Sequence, residues 1–461
     1  MDEQRFDLLV IGAGPAGQKG ALAAAWGGMR VAVIDRLESL DGPVSQGAIP
    51  SKTLREAALF LSALRQRPFF KHLAATEELR QDALLQRVNA VQSHGIDVTR
   101  AQLRRNGVTV LDGTARFSDP HTLEVETRDG AFPLHGERIL IACGSRPARQ
   151  PEIPFDGRRV IDVDEVGSLQ EVPGTLVVVG GGVMGLEYAS IFATLGVDVI
   201  LVEMQNALLD FVDQQIIDDL CLHLRNLGVV FRLGESVEAV ELQGERVVAQ
   251  LRSGRKVRGD RLLHTVGRHG NADRLGLEAT GLVADARGRI VVDEHFRTQV
   301  PHIYAAGAVV RLGALGATSK DHARVAISHM LGEPAAQQDT PLGIYTVPEI
   351  SMIGRTEQEL SRRGARFASG MAHYEDLARG QIIRSSTGCL KLLFDPDDRR
   401  LLGVHALGEA STELIHIGQA VLQFGGTVDY FRDASFNHPT FAEAYRMAAI
   451  DGLNKLQPAR R

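Results

Sequence analysis

The sequence contains the same glycine pattern twice, and each copy follows a short apolar run. The first copy is Gly12-Ala13-Gly14-Pro15-Ala16-Gly17, and the second is Gly180-Gly181-Gly182-Val183-Met184-Gly185. A G-x-G-x-x-G segment between a buried strand and a helix is typical of a dinucleotide-binding unit. Two such units require two parallel sheets with helices on their faces, so this repeat strongly constrains the fold class.

The glycines and a later acid have separate tasks in such a unit. The first glycine closes the turn, the second admits a pyrophosphate, and the third lets the helix pack on the strand. An acid at the tip of the second strand then binds ribose hydroxyls. Asp35 and Glu203 hold this place, 23 residues beyond the first glycine in each copy (12 to 35 and 180 to 203). The predicted cradle glycines are Gly12, Gly14, Gly17, Gly180, Gly182 and Gly185.

Length and charge limit the remaining possibilities. A chain of 461 residues that is 44% hydrophobic is long enough for three domains. Its net charge of −6 provides no basic surface, so we expect neither nucleic acid nor a membrane as partner. No signal peptide or membrane-spanning run is recognisable, which predicts a cytoplasmic protein. Cys143, Cys221 and Cys389 lack metal-binding spacing, so we expect buried thiols and no metal site.

The stretches between and after the glycine motifs suggest how the chain is divided. Residues 51–105 are largely helical in pattern, and the second glycine unit occupies roughly residues 151–270. Residues 290–293 and 302–307 have the pattern of strands that return to the first unit. From residue 341 onward we expect an antiparallel strand pair followed by helices. This last segment has no glycine cradle, so we assign it to assembly and to lining the active site.

Four segments outside the glycine motifs resemble the flavoprotein disulfide reductase family with two dinucleotide-binding domains. They are residues 49–52, 344–351, 413–420 and 439–446. The resemblance covers nearly the whole chain and is nearest to the soluble pyridine nucleotide transhydrogenase branch. It implies FAD in the first unit, NAD(P)H in the second, and hydride transfer from nicotinamide to flavin N5. It also implies a homodimer built on the C-terminal domain.

This resemblance completes the predicted architecture. The fold class is α/β, with two Rossmann-like dinucleotide-binding domains of the three-layer ββα type and a C-terminal α+β dimerisation domain. The FAD-binding domain comprises residues 1–150 and 271–340, and the NAD(P)-binding domain comprises residues 151–270. Residues 341–461 form the interface domain.

The resemblance also assigns the site residues. Lys52 would lie beside flavin N5 and pair with Glu187, since a cation there stabilises reduced flavin and the carboxylate keeps the lysine charged. The alternative interpretation is that Glu187 is an acid in the first turn of a helix, favoured by the helix dipole. Further cofactor contacts are assigned to segments that could also be ordinary turns, and they are Gly113, Ala115, Gly144, Gly267, Gly307 and Ala308.

Three features depart from the family pattern. Pro43 and Ala48 stand where disulfide reductases have two cysteines, so thiol–disulfide exchange cannot run there. His438 and Glu443 match an acid–base pair whose thiolate partner is missing, so His438 is either a packing residue or a proton donor to another acceptor. Ala308 replaces an aspartate that binds the ribityl chain, a loss of about 1.5–3 kcal/mol that we expect FAD binding to survive.

The remaining question is which molecules donate electrons to the protein and accept electrons from it. Glu203 favours the free 2′-hydroxyl of NADH over the NADP phosphate, whereas a transhydrogenase must also use NADP(H). Three functions therefore stay open. They are a cysteine-free transhydrogenase, an NADH-dependent reductase of a quinone or other small acceptor, and a non-enzymatic dinucleotide-binding dimer with weakened FAD binding.

Overall fold

The computed structural model describes residues 4–36, 48–66, 95, 97–169, 171–310, 316–334, 339–383 and 387–456. In these ranges the chain forms three units, each built on its own main sheet. The predicted α/β class, with two Rossmann-like units and a C-terminal α+β unit, is confirmed. In the described ranges, no helix is long and apolar enough to cross a membrane.

The first unit is organised by a seven-stranded sheet. In spatial order, six of its strands are Thr109–Asp112, Val31–Asp35, Gln4–Ile11, Gly130–Ile141, Thr122–Thr127 and Thr114–Asp119. The seventh, Ile303–Ala305, runs parallel to residues 139–141. The sheet is apolar at its centre because Leu8, Leu9 and Val10 are fully buried between its two faces.

Helices Pro15–Trp26 and Gly316–Leu331 pack side by side on one face of this sheet. Helix Ala48–Gln66 leaves this unit to contact the second one, and residues 97–105 are also helical. The prediction that residues 302–307 return to the first unit is confirmed by the strand Ile303–Ala305.

The predicted strand at residues 290–293 is wrong. Only Ile290 forms an isolated bridge, to Val310. The Asp293 carboxylate instead accepts hydrogen bonds from the backbone N–H groups of His295 and Arg297, each at 2.9 Å. This local turn competes with strand pairing and ends the extended run.

The second unit repeats the arrangement. Its parallel sheet has the order Val230–Leu233, Asp198–Glu203, Thr175–Val179, Arg261–His264 and Val160–Asp162. A separate antiparallel sheet comprises Val237–Gln243, Arg246–Leu251 and Lys256–Gly259. The helices are Val183–Thr194 and Gln214–Asn226. The short strands Ser145–Pro147 and Arg268–Gly270 pair with each other at the crossing between the first two units.

The C-terminal unit has an antiparallel sheet covered by helices. Its strands, in spatial order, are Leu342–Ile344, Ile350–Gly354, Leu401–Leu407, Cys389–Phe394 and Ala368–His373. The predicted antiparallel pair is therefore confirmed. The helices are Glu357–Arg362, Ala378–Ile383, Ser411–Gln423, Val428–Asp433 and Glu443–Leu456.

One hydrophobic core joins the three units. Leu54 of the first unit, Leu186 and Ile191 of the second, and Ile344 and Val347 of the third belong to the same cluster of buried side chains. Burying one large apolar side chain stabilises the folded state by about 1.5–3 kcal/mol. The start of helix Ala48–Gln66 is thereby held against helix Val183–Thr194, with the C-terminal unit on the same side.

Candidate active site

The first glycine turn is shaped by what a side chain would displace. Gly12 has a φ of +103°, and a Cβ atom on it would lie 2.5 Å from the carbonyl oxygen of Ala142. A Cβ atom on Gly17 would overlap the carbonyl oxygen of Gly12. A Cβ atom on Gly14, by contrast, would meet nothing within 4 Å. The turn is thus tight where it touches protein and open where a ligand's phosphates can approach.

The second turn has the same design. Gly180 has a φ of +104°, and a Cβ atom on it would lie 2.6 Å from Thr265 Oγ1. A Cβ atom on Gly185 would overlap the carbonyl oxygen of Gly180, whereas one on Gly182 would meet nothing within 4 Å. All six predicted cradle glycines therefore lie in the turns for which they were predicted.

The two acids lie against their own turns. The backbone N–H of Ala13 donates to Asp35 Oδ2, and that of Gly181 donates to Glu203 Oε2. Glu203 Oε1 also accepts from the backbone N–H of Gln205 at 2.8 Å. Burial raises the pKa of Asp35, although backbone hydrogen bonds act in the opposite direction. Each acid stands at the tip of the second strand, where a ribose would lie beside the cradle.

Both helices begin in a way that suits an anion. Gly14 and Gly182 are the N-caps of their helices, and neither provides a side chain to satisfy the first-turn N–H groups. Such N–H groups, at the positive end of the helix dipole, bind phosphates well. The open space, the donors and the ribose-side acid together fit a dinucleotide at each of the two turns.

The structure brings together Lys52 and Glu187, which lie on different units. Lys52 Nζ is 3.0 Å from Glu187 Oε1 and 2.9 Å from Oε2, and the Glu187 side chain is 1% exposed. Ser51 Oγ donates to Glu187 Oε2 at 3.3 Å. The alternative that Glu187 is a first-turn acid is wrong, because its helix begins at Val183 and its carboxylate bonds to Lys52.

The C-terminal unit also contributes to this ion pair. The backbone N–H of Tyr345 donates to Glu187 Oε1 at 2.9 Å. Lys52 Nζ lies 4.7 Å from the centre of the Tyr345 ring. No sequence pattern indicates the first contact, because a backbone amide is the same for every non-proline residue, and sequence reasoning missed the second.

His438 and Glu443 meet, as the family resemblance implies. His438 Nδ1 is 2.8 Å from Glu443 Oε1 and 3.0 Å from Oε2, and the His438 side chain is 66% exposed. The carboxylate binds Nδ1 and so orients the ring, which leaves Nε2 as the nitrogen that Glu443 does not occupy. An exposed, oriented imidazole is suited to proton transfer, which the packing alternative does not require.

The remaining predicted cofactor residues divide into three groups. Gly307 and Ala308 form a turn beside the first cradle, since a Cβ atom on Gly307 would lie 3.0 Å from the Cβ of Ala16. Gly113 donates from its backbone N–H to the carbonyl of Asp35 at 3.0 Å, and Ala115 follows in a strand. Gly144 and Gly267 both have positive φ and lie next to the paired strands that connect the units.

The thiols are not activated. Burial raises the pKa of Cys143 and Cys389 to about 12, and it also raises that of Cys221. All three cysteines are free. Pro43 lies outside the described residues, and Ala48 is the first residue of helix Ala48–Gln66. In the described part of the chain, no group of three or more His, Cys, Asp or Glu residues is placed to hold a metal ion.

One carboxylate near the crossing between units was not foreseen. Asp164 Oδ1 is buried without a hydrogen-bond partner among the described residues and lies 4.0 Å from Arg268 Nη1. Burial raises the pKa of Asp164 to about 6, against the opposing charge of Arg268. Arg268 itself donates to the side chain and carbonyl of Ser145 at 2.8 and 2.7 Å. An Asp between Val163 and Glu165 gives no sequence signal for such an environment.

Two glycine turns that fit dinucleotides, together with a lysine–glutamate ion pair that joins two units, are typical of an oxidoreductase that uses two dinucleotides. The chain belongs to the pyridine nucleotide-disulphide oxidoreductase family, which residues 6–329 match, and residues 340–449 match the dimerisation domain of that family. Members use FAD and NAD(P)H, so the chain is a flavin-dependent pyridine nucleotide oxidoreductase and the two predicted cofactors are confirmed.

Curated relatives and solved structures match over nearly the whole chain. The soluble pyridine nucleotide transhydrogenases of Mycobacterium bovis and Erwinia tasmaniensis are 45% and 41% identical over 460 residues, covering 98% of this chain and of each relative. LpdA from Mycobacterium tuberculosis has a TM-score of 0.89 at 26% identity, covering 99% of this chain and 100% of its own. The HOCl-induced flavoprotein disulfide reductase RclA from Escherichia coli has a TM-score of 0.83 at 28% identity, covering 96% and 99%.

Proposed function

We propose that this protein passes hydride between NAD(H) and NADP(H) through FAD, without a redox disulfide. FAD is assigned to residues 1–150 and 271–340, and NAD(P)(H) to residues 151–270. The observation that carries the proposal is the Lys52–Glu187 ion pair, whose carboxylate is buried, in a chain with two intact glycine turns that fit dinucleotides. The names of the 45% and 41% identical relatives support the choice of nicotinamide nucleotides as both donor and acceptor.

Each residue has a task in this reaction. Bound FAD supplies a two-electron carrier that can accept hydride from one nicotinamide and return it to another. Gly14 and Gly182 admit the pyrophosphates, and Asp35 and Glu203 bind the ribose hydroxyls. Lys52 provides positive charge where negative charge develops on reduction, at little reorganisation cost because Glu187 already holds its ammonium group in place.

The coenzyme preference follows from Glu203. Both of its carboxylate oxygens are bound by backbone N–H groups, so the negative charge is fixed beside the ribose position. A fixed carboxylate repels a 2′-phosphate, and we infer that NADH reduces the protein faster than NADPH at low concentration. The slower half-reaction with NADP(H) then limits turnover.

A second candidate is an NADH-dependent reductase of a quinone or another small acceptor. The observation that favours it is the exposed His438 ring, which Glu443 orients by binding Nδ1. A two-electron reduction of a quinone consumes protons, and an oriented imidazole is a suitable donor. The reductive half-reaction, with Lys52 and Glu187, is the same in both candidates.

We further propose a cytoplasmic homodimer assembled through residues 341–461. The dimerisation-domain match and large apolar side chains on this unit support it, since Phe424 is 89% exposed and Tyr430 is 55% exposed. Isolated exposed apolar residues are ordinary, but several on a unit of this family favour burial between copies. The word "soluble" in the relatives' names supports the compartment.

The proposal is tested by comparing acceptors with one preparation. Purified protein is reduced with NADH, and its reoxidation is followed in separate runs with an NADP⁺ analogue of distinct absorbance and with benzoquinones. We expect reoxidation by the NADP⁺ analogue to support turnover. Reoxidation by quinones alone would select the second candidate.

Two controls complete the test. Lys52→Met should slow flavin reduction. Lys256→Met, at an exposed position on a strand of the second unit, should not. A colourless protein that takes up no added FAD would overturn both enzymatic candidates. It would leave the non-enzymatic dinucleotide-binding dimer.

A further inference from the structure

A short segment of the C-terminal unit is bonded to both other units. The backbone N–H of Tyr345 donates to Glu187 Oε1 at 2.9 Å, and that of Val347 donates to Ser190 Oγ at 2.9 Å. Both acceptors lie on helix Val183–Thr194 of the second unit. These two bonds fix the backbone on each side of Thr346 against that helix.

The same segment is attached to the first unit through Arg55. Arg55 Nε donates to the carbonyl of Thr346 at 2.9 Å, and Arg55 Nη2 is 3.3 Å from Glu349 Oε2. The Arg55 side chain is 8% exposed, so this is a buried interaction. Residues 345–349 are therefore held on both sides and cannot shift without breaking buried hydrogen bonds.

This rigid backbone places the Tyr345 ring over Lys52. Lys52 Nζ lies 4.7 Å from the ring centre, within the range in which the face of an aromatic ring attracts a cation. Burial and the neighbouring Glu349, Glu413 and Glu187 carboxylates raise the pKa of the Tyr345 phenol. The ring consequently stays neutral, and its interaction with Lys52 is through the ring face rather than through a phenolate.

Tyr345 contacts both members of the ion pair, because its backbone N–H also takes part in the hydrogen bonds around Glu187. Glu187 Oε1 is shared between Lys52 Nζ and the Tyr345 N–H, and Oε2 is shared between Lys52 Nζ and Ser51 Oγ. Both carboxylate oxygens thus point toward Lys52 with their rotamer set by outside donors. Lys52 Nζ is thus in contact with both the carboxylate of Glu187 and the ring of Tyr345.

We propose that Tyr345 is a positioning residue for the Lys52–Glu187 pair, orienting the carboxylate with its backbone N–H and the ammonium group with its ring face. This inference rests on the proposed role of Lys52 beside the flavin. It makes the C-terminal unit a contributor to the redox centre of its own chain, in addition to any role in assembly.

The test is a double-mutant cycle between Tyr345 and Lys52. The four proteins are the unchanged chain, Tyr345→Leu, Lys52→Met and the double variant, and the two readouts are the rate of flavin reduction by NADH and the midpoint potential of bound FAD. Tyr345→Leu should slow reduction about three- to tenfold and make the potential more negative. In the Lys52→Met background the same change should have no further effect, because the cation is gone. Tyr345→Phe, which keeps the ring, should rescue the rate.

A second series preserves the shape of the ring. Replacing Tyr345 by phenylalanine and then by phenylalanines with increasing fluorination weakens the attraction of the ring for a cation at nearly constant volume. We expect the potential to fall steadily along the series. A flat series, or an equal loss from Tyr345→Leu in both backgrounds, would overturn the inference. If Lys52→Met alone leaves reduction unchanged, the proposed role of Lys52 fails instead.

Discussion

Asp164 provides a quantitative test of the electrostatics at the crossing between the first two units. Its pKa is raised from 3.8 to about 6, mainly by burial, and Asp164 Oδ1 has no hydrogen-bond partner among the described residues. A shift of this size corresponds to about 3 kcal/mol at about 1.4 kcal/mol per pKa unit. Because the side chain keeps 13% exposure and solvent screens part of its charge, we reduce this to about 1–2 kcal/mol.

The sign of the pH effect on stability depends on whether the folded or the unfolded chain holds the Asp164 proton. Below about pH 4, Asp164 is protonated in both the folded and the unfolded chain and does not affect stability. Between about pH 4 and pH 6 the unfolded chain ionises first, so the folded state loses stability as the pH rises. Above about pH 6 the loss is complete and constant. Asp164→Asn removes the titration and should therefore stabilise the protein at pH 8 but not at pH 4.

The assay is thermal unfolding followed by circular dichroism at several pH values. We expect Asp164→Asn to raise the unfolding midpoint at pH 8 by about 2–4 °C per kcal/mol, with the difference shrinking toward pH 4. Glu152→Gln, at an exposed position, is the matched control and should change little at any pH. A lower midpoint for Asp164→Asn at pH 8 would show that attraction to Arg268 outweighs the burial of the carboxylate, and the reasoning would be refuted.

Three further predictions concern the cofactor sites. Gly185→Ala places a methyl group on a backbone carbonyl of the second turn and should abolish tight NADH binding in a fluorescence titration, while FAD content stays unchanged. Glu187→Gln should slow flavin reduction at least about tenfold in stopped-flow experiments, because Lys52 loses its buried counter-charge. Turnover should survive treatment of the NADH-reduced protein with iodoacetamide, because the pKa values of Cys143 and Cys389 are about 12; inactivation with normal flavin reduction would reveal a thiol relay.

The parts of the site that are local in sequence were predictable from the sequence. The glycine turns and their acids lie within one strand–helix–strand unit, so the spacing alone places Gly12 near Asp35 and Gly180 near Glu203. The apolar pattern at residues 290–293 wrongly predicted a strand, because the Asp293 side chain closes a competing turn.

Contacts between units were harder to predict from the sequence. The Lys52–Glu187 pair spans 135 positions, and only the family resemblance suggested it. The donation from the Tyr345 backbone to Glu187 depends on how a third unit docks, and an amide N–H is the same for every non-proline residue. The environment of Asp164 likewise depends on the packing around it rather than on its sequence neighbours.

The way the first sheet is completed has a consequence for synthesis on the ribosome. The strand Ile303–Ala305 and the turn at Gly307 close the sheet that Gln4–Ile11 begins, yet the whole second unit lies between them in the chain. The nascent chain must therefore reach about two thirds of its length before the first cradle can be finished. The second unit, whose parallel strands lie between residues 160 and 264, can fold before the first unit is complete. A chain released after residue 270 would have a complete second unit and a first unit whose sheet is open at one edge.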